Sequence, residues 1–315
     1  MLICRLSSGV EHVIGNDGVA GSILAGGTIF IIYYLNCNFF LGEIILLDNS
    51  FSWEKKVVAI TGGANGIGKA IAIAAKNKGA KISVSDINEK DLNEVKNEHD
   101  FLTTLSDAGK EEDILNFIKN TENNLGEIDI FFANAGVARS GTLDTSDEDW
   151  DISHRVNVMH HIWAARAIIP KMRKRTDCRF ITTASAAGLL SEINSASYSL
   201  TKHAAVGFAE WLSIVYGKKD EDGNAVTISC LCPQGVNTAM TANMKDGGVA
   251  GIDGMLEPGD VAKSVINTVS EGGFLILPHP VVEEYIKIKT SNYMRWLGGM
   301  RKLYAKFKAT DYHID

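Results

Sequence analysis

The chain has 315 residues, 45% hydrophobic and 22% charged, which is the make-up of a folded protein whose core needs no disulfide. Its formal charge of -7 argues against nucleic acid as the partner, since duplex binding leans on a basic face. Cys4, Cys37, Cys178, Cys230 and Cys232 are odd in number and lack C-x-x-C spacing, so neither a disulfide framework nor a metal site is expected, and reduced intracellular thiols are the simpler reading.

Residues 18–42 carry no charge and include the run Ile29-Phe30-Ile31-Ile32-Tyr33-Tyr34-Leu35. Their length would let a helix cross a bilayer, although Gly26, Gly27, Asn36 and Asn38 weaken the helix case. Three readings stay open for residues 1–52: a membrane anchor, an appended segment packed on the domain, or a start from an incorrect gene model. The first Met after Met1 is Met159. The expected location is the cytoplasm, with membrane association if residues 18–42 are a real anchor.

A regular pattern begins at Trp53. Val57-Val58-Ala59-Ile60 reads as a strand buried on both faces, followed by a glycine-rich turn and a helix over 67–78. A second strand over 81–85 ends at Asp86, and a charged helix over 89–98 leads to a weak strand near 101–102. Then come a helix over 111–123, a strand over 128–132 and a long helix over 149–174. A strand over 179–183, a helix over 197–216 and a strand over 226–230 follow. A Gly- and Met-rich loop over 233–255, a helix over 259–270 and a strand over 274–277 complete the pattern. Alternating strands and helices predict one domain, 53–280, with a doubly wound parallel sheet and helices on both faces. Residues 281–315 form an aromatic and basic tail, expected to pack on the domain or at a subunit interface, with a membrane-surface role as the weaker reading.

The first turn reads Thr61-Gly62-Gly63-Ala64-Asn65-Gly66-Ile67-Gly68, between a buried strand and a helix. Gly62 permits the tight turn, Gly66 lets backbone approach a pyrophosphate, and Gly68 allows close helix–strand packing. The helix N-terminus then faces the anion with free N–H groups. Asp86 follows Gly68 by 18 residues and can accept hydrogen bonds from the ribose hydroxyls while repelling a 2′-phosphate. No base stands at Ser85, Ile87, Asn88 or Asn65, so NAD is favoured over NADP. Asp86 could also be a helix cap, which would not explain its spacing.

Tyr198 and Lys202 stand i and i+4 at the start of a predicted helix, so hydroxyl and ammonium share a face. A nearby ammonium and a cationic nicotinamide both favour phenolate and are expected to lower the tyrosine pKa. Ser185 lies at a strand C-terminus, where open α/β sheets bind ligands.

Together these motifs resemble the short-chain dehydrogenase/reductase family in its single-domain Rossmann form, over about residues 56–277. The resemblance implies Tyr198 as general acid/base, Ser185 as hydrogen-bond donor to the substrate oxygen, and Lys202 as the residue that binds the nicotinamide ribose and tunes Tyr198. It implies Asn157 as the holder of a water that completes the proton path. It also makes Thr61, Gly62, Asn65, Gly66, Ile67, Gly68, Asp86, Asp107, Asn134, Ala135, Gly136, Pro233, Val236 and Thr238 cofactor contacts, with Asp107 at the adenine. Asn134 and Asn157 could equally be local backbone caps. Two departures stand out: Ala133 replaces the first Asn of the family's Asn-Asn-Ala-Gly, and Gln234 stands where Gly is usual, which puts the local loop shape in doubt.

His160 and His161 read as packing or interface residues rather than metal ligands. Met240, Met244 and Met255 fall where the family covers its substrate, which allows an apolar alcohol or ketone, although Met also simply fills irregular gaps. The expected reaction interconverts a secondary alcohol and a ketone. The alternatives are a non-catalytic dinucleotide-binding sensor or scaffold, and an epimerase or dehydratase. The resemblance further implies a homo-oligomer, dimer or tetramer, formed through the helix over 157–174 and the Tyr198 helix.

Overall fold

The computed structural model describes residues 20–25, 28–35 and 38–44 as backbone strands, and residues 51–219, 223–243 and 247–308. Met244, Cys4 and Cys37 lie outside them. The chain divides into two compact units, Met1–Ser50 and Phe51–Asp315.

The first unit holds β1 (Ala20–Ala25), β2 (Thr28–Leu35) and β3 (Asn38–Ile44), an antiparallel sheet of order β1-β2-β3. The register runs from Ala20↔Tyr33 to Ala25↔Thr28, and from Ile29↔Ile44 to Leu35↔Asn38. A spanning helix over 18–42 is therefore not formed. Ile29, Ile31, Ile32, Tyr33 and Tyr34 are β-branched or aromatic and favour a pleated strand over a helix. Among the described residues, no helix is long and apolar enough to cross a membrane.

The second unit is built on seven parallel strands. They are β4 (Val57–Thr61), β5 (Lys81–Asp86), β6 (Leu102–Leu105), β7 (Ile130–Ala133), β8 (Cys178–Thr183), β9 (Val226–Leu231) and β10 (Leu275–Ile276). Their spatial order is β10-β9-β8-β7-β4-β5-β6. The chain thus starts in the middle, winds outward to β6, returns to β7 and winds the other way. β4 and β7 flank the switch point, where an open α/β sheet leaves a crevice at its strand C-termini.

Alternation along the strands makes two cores. Val58, Ile60, Val84 and Phe132 face α1 (Gly66–Lys76), α2 (Glu89–His99) and α7 (Pro258–Glu271). Val57, Ala59, Phe131 and Phe180 face the other way, toward α3 (Glu111–Leu125), α5 (His160–Met172) and α6 (Ala196–Tyr216). Both faces of the sheet are covered, which is why its strands read as unbroken apolar runs.

The long helix expected over 149–174 is interrupted. α4 (Asp147–His154) passes into five π-helical residues, Arg155–Met159, before α5 resumes. There the His160 N–H reaches back five residues to the Arg155 carbonyl. Single π turns inside α-helices are rare and mark functional sites, and this one carries Asn157. The tail folds as α8 (Val281–Ser291) and α9 (Tyr293–Lys308).

Phe131 is fully buried, stacked on Phe180 at 5.7 Å and tilted against Phe117 at 6.2 Å. Phe131→Ala should cost about 3–5 kcal/mol of stability in urea unfolding; a loss under about 1 kcal/mol would mean this face of the sheet does not hold the fold.

Candidate active site

The crevice is tied together by Thr61, the last residue of β4. Its hydroxyl accepts the N–H groups of Asn134 and Ala135 at 2.9 and 3.2 Å, and lies 2.9 Å from His160 Nε2. Asn134 returns the tie: its side-chain amide donates to the Thr61 and Gly62 carbonyls at 3.0 and 3.1 Å, and its Oδ1 accepts from the Thr183 hydroxyl at 3.2 Å. Asn134 therefore clasps the ends of β4, β7 and β8, which is the backbone-capping reading of that residue.

The glycine turn is shaped for close approach. Gly62 has φ +61, and a Cβ there would lie 2.9 Å from the Ala135 Cα. A Cβ on Gly68 would run into the Gly62 carbonyl oxygen. Asn65 caps α1 by accepting the Gly66 N–H at 2.7 Å, and Ile67 lines the adjoining cavity. The Asp86 carboxylate, at the end of β5, accepts the Ala64 and Asn88 N–H groups at 3.2 and 3.1 Å. It thus steadies the turn from the end of β5. Asp107 holds the Gly109 N–H at 2.8 Å and pairs with Lys110 at 3.6 Å. Across the crevice, Thr238 Cγ2 would lie 3.2 Å from a Cβ on Gly66, so the glycine turn and the 233–238 loop face each other. Val236 is buried, and the Pro233 carbonyl accepts from Ala186 and Ser185. An open backbone cradle of this kind fits a dinucleotide.

Lys202 and Asn157 meet at Gly136, where a Cβ would lie 3.3 Å from Lys202 Nζ and 3.4 Å from Asn157 Oδ1. Asn157 exchanges two hydrogen bonds with the Val137 backbone at 2.9 Å and donates to Thr201 Oγ1 at 3.1 Å. Lys202 is buried, donates to the Thr183 carbonyl at 3.1 Å and lies 5.6 Å from the Tyr198 ring centroid. Ser195 caps α6 by accepting the Tyr198 N–H at 3.1 Å, which sets where the helix carrying Tyr198 and Lys202 begins.

Burial pushes the Tyr198 phenol up to about 12; a hydrogen bond with Ser185 opposes that and the Glu192 carboxylate adds to it. The depression expected from Lys202 is not what the chain alone produces. Burial also pulls Lys202 down to about 8, weakening its charged form, and its Nζ is turned to the Thr183 carbonyl.

Ser185 and Tyr198 line a cavity of about 790 Å³ whose wall is mainly apolar. Met240, Val249 and Ile252 close it from the loop, and Trp296, Met300 and Leu303 close it from α9. The tail therefore shapes the site. Gln234, the departure from Gly, has a use in this fold. Its side-chain amide donates to Asp253 at 2.8 Å, Asp253 also accepts from the Tyr285 hydroxyl at 3.0 Å, and the Gln234 N–H reaches His279 Nδ1 at 3.2 Å. These bonds latch the loop to α8.

Two residues had no motif to reveal them. Glu192 lines the cavity with a carboxyl group raised by burial, held by the Asn194 N–H at 3.0 Å. His160 reads as packing, and it is wholly buried, yet its ring reaches the Thr61 hydroxyl; burial drops its pKa to about 3, so it is neutral. His161 is buried beside it, ring centroids 4.9 Å apart.

Lys202 titrates near 8 when folded against a usual 10.5, so between those values the unfolded chain holds the extra proton. Stability rises as pH climbs through that window, and the burial cost is fully present below it. In the cofactor-free protein, Lys202→Met should raise unfolding stability at pH 7 by about 1–2 kcal/mol, with the gap closing toward pH 10. Urea midpoints at the two pH values check this; a loss at pH 7 would show that the bond to Thr183 outweighs burial.

A profile described as short chain dehydrogenase matches residues 56–247. The rat protein named Dehydrogenase/reductase SDR family member 6 is 30% identical over 70% of this chain and 84% of its own length. The human protein named Estradiol 17-beta-dehydrogenase 11 is 30% identical over 72% of this chain and 76% of its own. A crystal structure of a short chain dehydrogenase/reductase from Burkholderia phymatum in complex with NAD is 26% identical, covers 78% of this chain and 96% of its own, and superposes with a TM-score of 0.70. With the clasped crevice and its parallel sheet, these likenesses establish that the chain belongs to the short-chain dehydrogenase/reductase family, as an NAD(P)-dependent oxidoreductase acting on CH–OH donors.

Proposed function

We propose that this enzyme interconverts an apolar secondary alcohol and its ketone, with NAD as the hydride partner. The observation that carries the reading is the juxtaposition of Tyr198 and Ser185 on the wall of a large, mainly apolar cavity, with Lys202 buried behind the tyrosine ring. The cradle of the glycine turn and the 233–238 loop would hold the dinucleotide, whose nicotinamide would supply the hydride chemistry between alcohol and ketone.

Tyr198 takes the hydroxyl proton in oxidation and gives it back in reduction. Ser185 holds the same substrate oxygen and steadies the tyrosine. A phenol near 12 is a poor base at neutral pH. The positive charge of the oxidised cofactor, added to that of Lys202, favours phenolate once the site is filled. Proton uptake is thereby coupled to cofactor occupancy. The Asn157 side chain is spent on Val137 and Thr201, and the relay water assigned to this residue sits at the π turn that carries it. Asp86 and the lack of a neighbouring base favour NAD, as does the NAD bound in the Burkholderia phymatum relative. The human relative's name puts a steroid alcohol in the substrate panel. A homo-oligomer is supported by α6, whose outer face exposes Leu200, Trp211, Val215 and Ile214, the last at 78%.

Tyr198→Phe should lower kcat/KM for NADH formation from an alcohol panel about 10²–10⁴-fold while NAD titration by calorimetry stays within a few-fold; undiminished turnover would sink the assigned role. Trp211→Glu with Ile214→Glu should reduce the particle mass in sedimentation, and an unchanged mass would move the interface elsewhere.

A further inference from the structure

We propose that α9 is a docking helix for an anionic lipid surface. In a chain of net charge -7, the stretch Tyr293–Lys308 carries Arg295, Arg301, Lys302, Lys306 and Lys308 and no acidic residue. None of these five cations pairs with a carboxylate among the described residues, whereas Lys287 of neighbouring α8 pairs with Glu283 and Glu284 at 3.0 and 3.2 Å. No residue of α9 is buried. Tyr293, Met294 and Tyr304 are exposed by 57%, 69% and 42%.

The helix is amphipathic in a specific way. At about 100° per residue, Leu303, Trp296, Met300, Tyr293, Tyr304 and Leu297 fall on one continuous apolar stripe. The first three line the cavity, while Tyr293 and Tyr304 on the same stripe are exposed. The cations lie off that stripe on both sides, and all but Arg295, which lines the cavity, stand clear of its wall. A basic helix with aromatic residues on its other arc is the composition that lies in a lipid headgroup layer, with Lys and Arg reaching the phosphates and Tyr and Trp at the boundary.

A second copy of the chain fits this face poorly. A two-fold contact sets the same patch against itself, five cations against five. The outer face of α6 is the more apolar candidate for self-association. Because α9 walls the cavity, docking would set that wall of the cavity against the lipid. That consequence rests on the cavity being the substrate site; the docking itself does not.

The test is co-sedimentation of the full chain with vesicles of phosphatidylcholine alone or mixed with phosphatidylserine, at low and high salt. Wild type should partition onto the mixed vesicles and be released by salt. Arg301→Glu, Lys302→Glu and Lys306→Glu together, none of them at the cavity wall, should weaken that partition on the order of a hundredfold. NAD titration and the melting temperature should not move. Equal binding to both vesicle types would overturn the proposal, as would a triple variant that binds like wild type. So would a triple variant whose particle mass falls while its vesicle partition holds, which would assign the face to a second copy. Partition is read without turnover, so failure of the alcohol reaction leaves this result legible.

Discussion

The site depends on the clasp between Thr61 and Asn134. β4 and β7 are neighbours in the sheet but diverge in connection, and a crevice opens where their chains leave. Left alone, the backbone groups there would be unpaired and the glycine turn free to wander. One hydroxyl and one carboxamide satisfy them and draw in Thr183 from β8. Neutral His160 braces the same hydroxyl from α5. Because every group in this knot is short and buried or nearly so, the cradle is held before any ligand arrives, which is the condition for binding without a large ordering cost.

Around that knot, burial works against the charges that the proposed proton transfer needs. The tyrosine is pushed toward its neutral form and so is the lysine. The pair by itself is thus a resting acid and a weakened cation rather than a ready base. A buried amine held by one carbonyl is expensive, and proteins keep such groups where function requires them. The π turn belongs to the same logic. It spoils a helix that would otherwise run from Asp147 to Met172, and it does so where Asn157 must stand beside Lys202.

The cavity is assembled from parts distant in the chain. The 189–195 segment supplies Glu192, the 233–255 loop supplies Met240 and Ile252, and α9 supplies Trp296, Met300 and Leu303. The Gln234–Asp253–Tyr285 bonds hold the loop to α8, so an amino acid that departs from the family pattern becomes a strut. The cavity is apolar with one carboxyl group and two arginines on its wall, a composition suited to a large ligand with few polar groups.

What the residues alone determined was the periodic and the local. Apolar runs of strand length announced a sheet covered on both faces, the glycine turn announced a dinucleotide cradle, and the i, i+4 spacing put Tyr198 and Lys202 on one face. Each of these is a property of a few adjacent residues. What only the tertiary structure decided was whatever depends on burial or on partners far along the chain. The Tyr198 phenol lies above its usual pKa rather than below it, and the Lys202 amine lies below its own, because desolvation cannot be read from a motif. The apolar run over 18–42 paired as strands, since register with neighbours overrode length. The break at Asn157, the bracing by His160, the reach of Gln234 and the cavity wall from α9 carry no local signal. They exist because the fold brings backbone and side chains together across long separations, and that closeness is what turns a Tyr–Lys pair into a site.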